Sequence, residues 1–314
     1  MVKALILCGA KIHCFFRHIT PLVKITLHDK SLKNFDRKIA PKIKLLIENQ
    51  HDVSLSLRDE NGRMDLHVIL MAAFVDHPCA EIQSFAIRCL IDSGVDINSP
   101  CHFGFTPSMY QASCSLDSVE NALMLVRNGA DLNLRVSGPL MEKNSEAYDY
   151  IGKSAIYLAI KFGRARSAIV FAKAGCYIND CEVWVDVLEK TSRNLKSHVV
   201  WYSDSREHSI DLDGPRMHTD FLYSVQDEEA PGIIFDRHAT ETLDVLHNTV
   251  QELLGVPKRL DILCRMVIVG AIHNDAKVTK LPVPQKIQEF LCFSELDGLR
   301  NLPSVITQDM WEDY

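Results

Sequence analysis

Thirteen histidines and ten cysteines are spread through the chain, enough in number for nucleophilic or metal chemistry if their spacing allowed it. It does not. A thiol nucleophile needs a base within hydrogen-bond reach and a third group to orient that base. Cys101 and His102 are the nearest approach, but chain neighbours seldom face one another and no orienting residue stands beside them. No Cys-x-x-Cys occurs, Cys176 and Cys181 lack a second pair, and His208, His218 and His238 lack ligand spacing. No phosphate-cradling glycine loop is present. Catalytic residues, metal sites and cofactors are therefore not expected.

The residues with informative spacing are suited to docking. Leu260-x-x-x-Cys264-x-x-x-Ile268, with Leu263 and Val267, recurs at three- and four-residue intervals, which places these side chains on one face of a helix. Asp261 and Arg265 fall off that face. Such a stripe suits insertion into a groove, and cysteine serves there as a small soft hydrophobe. Gly255 and Pro257 mark a break and a new helix start. Leu281-Pro282-Val283-Pro284 follows, its prolines fixing φ and removing two amide donors, so a stiff extended segment displaying Leu281 and Val283 is expected. Gln285 to Phe293 then reads as a second helix with Ile287, Phe290 and Leu291 near one face. The plain alternative is two core helices joined by a proline turn.

In order, spacing and position the two motifs resemble a SOCS box. That resemblance implies that Leu260, Cys264 and Ile268, supported by Leu263 and Val267, contact elongin C, and that Leu281, Pro282, Val283 and Pro284 contact or position Cullin-5. Arg259 stands where the family usually has Ser, Thr or Pro.

Upstream, three segments beginning at Gly62, Gly104 and Gly152 are degenerate copies of one pattern, Gly-x-Thr-Pro-Leu-His. Each is followed by a second signature, Leu90 to Asn98, Leu125 to Asn133 and Phe171 to Asn179. Thr106-Pro107 pairs a capping hydroxyl with a proline suited to a first helical turn. Gly94, Gly129 and Gly175 are placed to end helices in a left-handed conformation. Ile87, Leu90, Ile91 and Ala122, Leu125, Val126 form stripes that neighbouring units would bury. These signatures resemble ankyrin repeats. The second signature's glycine follows the first's after 32, 25 and 23 residues, and further extra residues fall around Ser137 to Tyr150. There Glu142, Lys143, Tyr148 and Tyr150 are candidates to touch a target. Leu46 to Val53 reads as the tail of an earlier unit, and Thr240 to Leu254 as a helix packing the repeats against the C-terminal motifs.

The expected architecture is all-α, an ankyrin-repeat solenoid followed by a small helical SOCS box. Its divisions are an N-terminal segment 1–39, degenerate repeats 40–180, a degenerate repeat or linker region 181–254 ending in a helix, a SOCS box 255–300 and a tail 301–314. Ser203 to Asp236 reads as loop or linker. A net charge of −7 without a sustained basic run argues against nucleic acid as a partner. Cysteines scattered singly through apolar patterns suit a reducing cytoplasm or nucleus. The apolar run near Met1 is short, and Lys11, His13 and Arg17 follow at once, so secretion is not expected. No stretch approaches a membrane span.

The combined resemblance, to ankyrin repeat and SOCS box proteins, implies a non-catalytic substrate receptor. Its partners would be elongin B/C, Cullin-5 with a RING subunit, and a target protein held by the repeats. The alternative is an ankyrin scaffold without a ligase role.

Overall fold

The computed structural model describes residues 40–48, 58–59, 61–71, 80–113, 117–138, 150–161, 164–178, 239–253, 259–272 and 275–302. Glu142, Lys143 and Tyr148, the proposed linker and the N-terminal segment 1–39 lie outside them. Among the described residues the structure is helical, and its β-pairing is an isolated bridge between Arg135 and Ser154. No described helix is long and apolar enough to cross a membrane.

Helices α1 (Ala40–Glu48), α2 (Asp65–Met71), α3 (Ala80–Asp92), α4 (Pro107–Ser113), α5 (Val119–Arg127), α6 (Ala155–Lys161) and α7 (Ala165–Ala174) come first. They form three packed pairs, α2 with α3, α4 with α5 and α6 with α7. Helices α2, α4 and α6 lie side by side in one layer, and α3, α5 and α7 in a second. Helix α1 packs against α3 at one end, burying Ile43, Leu46 and Ile47. At the other end α8 (Ala239–Leu253) packs against α7 through a face that buries Leu243, Leu246 and Val250.

The glycine signatures explain where the pairs begin and end. Gly175 has φ +109° and closes α7, its N–H donating to Ala172 O at 3.1 Å. A left-handed residue there is costly for anything but glycine. The turns preceding each pair also touch: His102 N–H donates to Asn61 O at 2.8 Å, and a Cβ on Gly104 would lie 2.7 Å from Ser137 N. Val136 N–H donates to Lys153 O and Gly152 N–H to Val136 O, at 3.0 and 2.9 Å, so the two flanks of segment 139–149 meet.

Polar side chains set the register between pairs. Asn121 of α5 donates to Gln83 of α3 at 3.2 Å and accepts from Ser84 at 2.7 Å, while Gln83 donates to Ile69 O at 2.8 Å. Asn98 accepts from Asp131 N at 2.7 Å, and Asn133 from Tyr177 N at 2.9 Å, tying each unit to the next. The buried Gln83–Asn121 network in particular specifies one alignment of otherwise interchangeable apolar surfaces.

Capping differs from expectation at one site. The Thr106 hydroxyl makes no hydrogen bond, because the Met109 amide it would cap is already taken by Thr106 O at 3.0 Å. Ser118 does cap α5, through Asn121 N at 3.2 Å. Helix α7 is capped from a distance: Asp117 accepts from Arg166 N, Ser167 N and the Ser167 hydroxyl, at 2.9, 2.8 and 2.9 Å.

Candidate protein-docking site

Helix α9 (Leu260–Ile272) is apolar nearly all round, so its sequence leaves the buried face undecided. The structure resolves it. Arg265 and Val269 are buried, with Ile262, Met266 and Ile272 half-buried beside them. The predicted stripe is on the opposite side, exposed to solvent: Leu260 is 74% exposed and Val267 72%, with Leu263, Cys264 and Ile268 also exposed. The five residues are thus brought together on one exposed surface, while Arg265 and Val269 face inward. Arg259 pairs with Asp261 at 2.8 Å on the exposed start of the helix.

Helix α9 packs against α10 and α11 and rests on the end of α7. A Cβ on Gly175 would lie 2.8 Å from both Ile262 Cγ2 and Met266 Sδ, so the bare glycine backbone is the floor on which α9 rests. Helix α8 packs against α7, whereas the junction between the helix pairs and the C-terminal module runs directly through α5 and α7.

Helix α10 (Asp275–Val278) follows, then the motif, α11 (Gln285–Leu291) and a 3-10 segment, Ser294–Asn301. Leu281 and Val283 are half-buried and Pro282 and Pro284 exposed. The motif is less extended than its sequence suggests: Val283 N–H donates to Leu281 O at 2.8 Å, a tight turn about Pro282. The physical reason is that prolines leave Val283 the lone amide between them, while a φ fixed near −65° suits such a turn. Gln288 of α11 reaches back to Leu281 O at 2.8 Å and Val283 O at 3.3 Å, fixing the motif to the helix behind it. Leu291 is buried and Phe290 half-buried, while Ile287 stays exposed.

Residues 256–292 match the family model of the SOCS box. The SOCS box links proteins to elongin B/C–cullin ubiquitin ligases, and proteins carrying it act as substrate adaptors rather than catalysts. No curated protein matches the chain. The matched region covers α9 to α11 and therefore contains both the Leu260–Ile268 stripe and Leu281–Pro284.

Two arginines that the apolar periodicity passes over clamp the SOCS box. Arg127, at the end of α5, donates to Cys292 O at 2.7 Å and to Asp297 at 2.7 Å. Arg265 donates to Glu295 and to Phe290 O, and lies against the Phe290 and Phe293 rings. The available signal for Arg265 is that it is the lone cation of a helix whose other residues, Asp261 apart, are apolar or glycine.

Tyr150 needs correcting as a target-contact candidate. It is buried, its ring edge-on to Phe105 and covered by Lys161 Nζ at 4.5 Å, so it serves packing. Cys101 is buried too, its Sγ 3.5 Å from the Tyr110 hydroxyl, and the His102 ring packs under Gly62.

Proposed function

We propose that this chain is a substrate receptor of an elongin B/C–Cullin-5 RING ubiquitin ligase. Elongin C takes the face made by Leu260, Leu263, Cys264, Val267 and Ile268, and Cullin-5 takes Leu281 to Pro284. The α2–α7 pairs are degenerate ankyrin repeats that hold a target protein. The reading is supported chiefly by the exposed apolar stripe of α9. Five apolar side chains on one helical turn after another remain exposed, and the two most exposed, Leu260 and Val267, could each contribute roughly 1.5–3 kcal/mol gross on full burial, as expected of a helix waiting for a groove. The repeat assignment is supported by helix pairs that recur with the glycine signatures and by the Asn98 and Asn133 ties.

The chain's contribution to transfer is effective concentration. Tethering brings the target's lysines near the activated ubiquitin carried by the RING-bound conjugating enzyme, without a residue of this chain touching the reacting bond. Cysteines scattered singly through apolar patterns suit a cytoplasmic or nuclear setting.

The test is co-expression with elongin B/C. Leu260→Asp with Cys264→Asp is expected to abolish co-purification, since charge would enter an apolar groove at a cost of several kcal/mol. Because both residues are exposed, the double variant should melt like wild type. Undiminished capture of elongin B/C by the variant overturns the assignment.

A further inference from the structure

Arg265 stands where the docking helix, the cullin motif's helix and the repeat-like pairs meet. Its side chain is 2% exposed and lies 4.0 Å from the centroid of the Phe293 ring and 4.3 Å from that of Phe290. Nη1 donates to Phe290 O at 3.2 Å and to the Glu295 carboxylate, and Nη2 to Lys173 O at 3.5 Å. One guanidinium thus joins α9, the end of α11, the 3-10 segment and the end of α7. Its carboxylate partner is 48% exposed, so the cation is deeply desolvated while its countercharge is not.

That arrangement is a poor way to gain stability alone. Apolar side chains of similar volume often replace a buried ion pair without loss. What an arginine adds is direction, because its planar fork must satisfy acceptors at fixed angles. The neighbouring backbone carries the matching strain. Phe293 is at φ +54°, the one non-glycine residue with positive φ among the described residues. Such a conformation persists where the surroundings over-determine it. Here Arg265 lies against its ring and Arg127 donates to its carbonyl at 3.5 Å.

We propose that Arg265 is a positioning residue for ubiquitin transfer: it fixes the angle between the exposed docking face of α9, the Leu281–Pro284 motif with α11, and the layer of helices that carries the target. The inference rests on the adaptor reading above. Binding of elongin needs the α9 face alone, whereas transfer needs the ligase and the target held at a set angle. Arg265 therefore separates the two.

The experiment places spin labels on noncanonical amino acids at the exposed positions Lys42 and Lys286, and measures their distance distribution in the free chain and in its elongin B/C complex. In parallel, ubiquitin transfer to the receptor's own lysines is followed in the complex reconstituted with Cullin-5, its RING subunit and a conjugating enzyme. Arg265→Met should keep elongin affinity within about threefold, at least double the width of the distance distribution, and slow transfer about tenfold while spreading it over more lysines. Val269→Ala, a cavity on the same buried face, should lower thermal stability yet leave the width and the lysine pattern as in wild type. Should Arg265→Met not fold, Arg265→Lys takes its place; it keeps the charge but loses the fork and the ring contact, and the same broadening is expected. A variant with wild-type width and wild-type lysine pattern overturns the proposal. If the wild-type chain captures no elongin B/C, the adaptor reading falls, and the distances in the free chain still decide whether Arg265 sets the angle.

Discussion

Arg265 and His67 are both buried, and they meet the cost of burial in opposite ways. Arginine keeps its charge, so the chain surrounds it with two ring faces, a carboxylate and carbonyl oxygens. Histidine gives its charge up. Burial, and after it the nearby Arg58 guanidinium, lowers the His67 pKa from 6.5 to about 3, and the neutral ring accepts from Met64 N at 3.1 Å and lies 3.0 Å from Ser99 O. The sign follows from the lowered folded value. The contribution of His67 to stability is complete above pH 6.5 and is lost as pH falls from there toward 3, at about 1.4 kcal/mol per pH unit while only the unfolded chain binds the proton. His67→Gln, which can keep an acceptor and a donor without titrating, should flatten that slope. Urea midpoints of the two proteins at pH 7.5, 6 and 5 check it; parallel pH profiles would show that the ring is not buried neutral.

Helix ends and turns decide how the SOCS box sits. Gly94 and Gly175 both have left-handed φ, at +87° and +109°, yet a Cβ on Gly94 meets nothing within 4 Å whereas one on Gly175 meets α9 at 2.8 Å. Gly94→Ala should therefore cost only the backbone strain, about 1–2 kcal/mol. Gly175→Ala adds overpacking and should cost about 2–5 kcal/mol. Equal denaturation midpoints for the two variants would mean that α9 does not rest on Gly175. The motif before α11 offers a separate test. Pro282→Ala with Pro284→Ala frees two φ angles and restores two amides, dissolving the turn that Gln288 braces. Pull-down should show elongin B/C retained and Cullin-5 sharply reduced. If wild-type chain with elongins bound never takes up Cullin-5, the segment is only a turn between helices.

Across the whole molecule, the SOCS box is joined to the helix pairs by contacts of very different worth. Arg88, Glu120, Arg300, Asp297 and Arg127 form a chain of ion pairs from α3 to the 3-10 segment, at 3.1, 2.9, 3.1 and 2.7 Å. Most of it is exposed, and exposed pairs contribute little. Arg127 is the exception, because it also satisfies backbone carbonyls at the junction. Arg127→Ala should cost about 1–3 kcal/mol by stranding those acceptors, and Asp297→Ala less than about 1 kcal/mol. Hydrogen exchange over residues 285–302 should rise in the first variant and barely change in the second. A larger effect from Asp297→Ala would place the junction's strength in the surface charges.

The local elements were legible because their causes are local. Leu243, Leu246 and Val250 recur at helical intervals and are buried on one face of α8; Gly175 follows the last apolar residue of α7 and ends it. The five-residue apolar stripe of α9 was legible for the same reason, and it lies within the residues that match the SOCS box. Which side of α9 faces inward was not. Both faces are largely apolar, so periodicity balances, and the choice goes with Gly175 and with the acceptors on α7, α11 and the 3-10 segment that Arg265 meets together. Nor could Tyr150 be known to pack against Phe105, or Arg127 to hold Cys292 O 165 residues away. Sequence alone determined the helices, the glycines that end them and the chemistry of the exposed stripe, since these depend on neighbours within a few turns. The tertiary structure alone decided orientation and burial, since these depend on which distant donor meets which acceptor once the pairs have stacked.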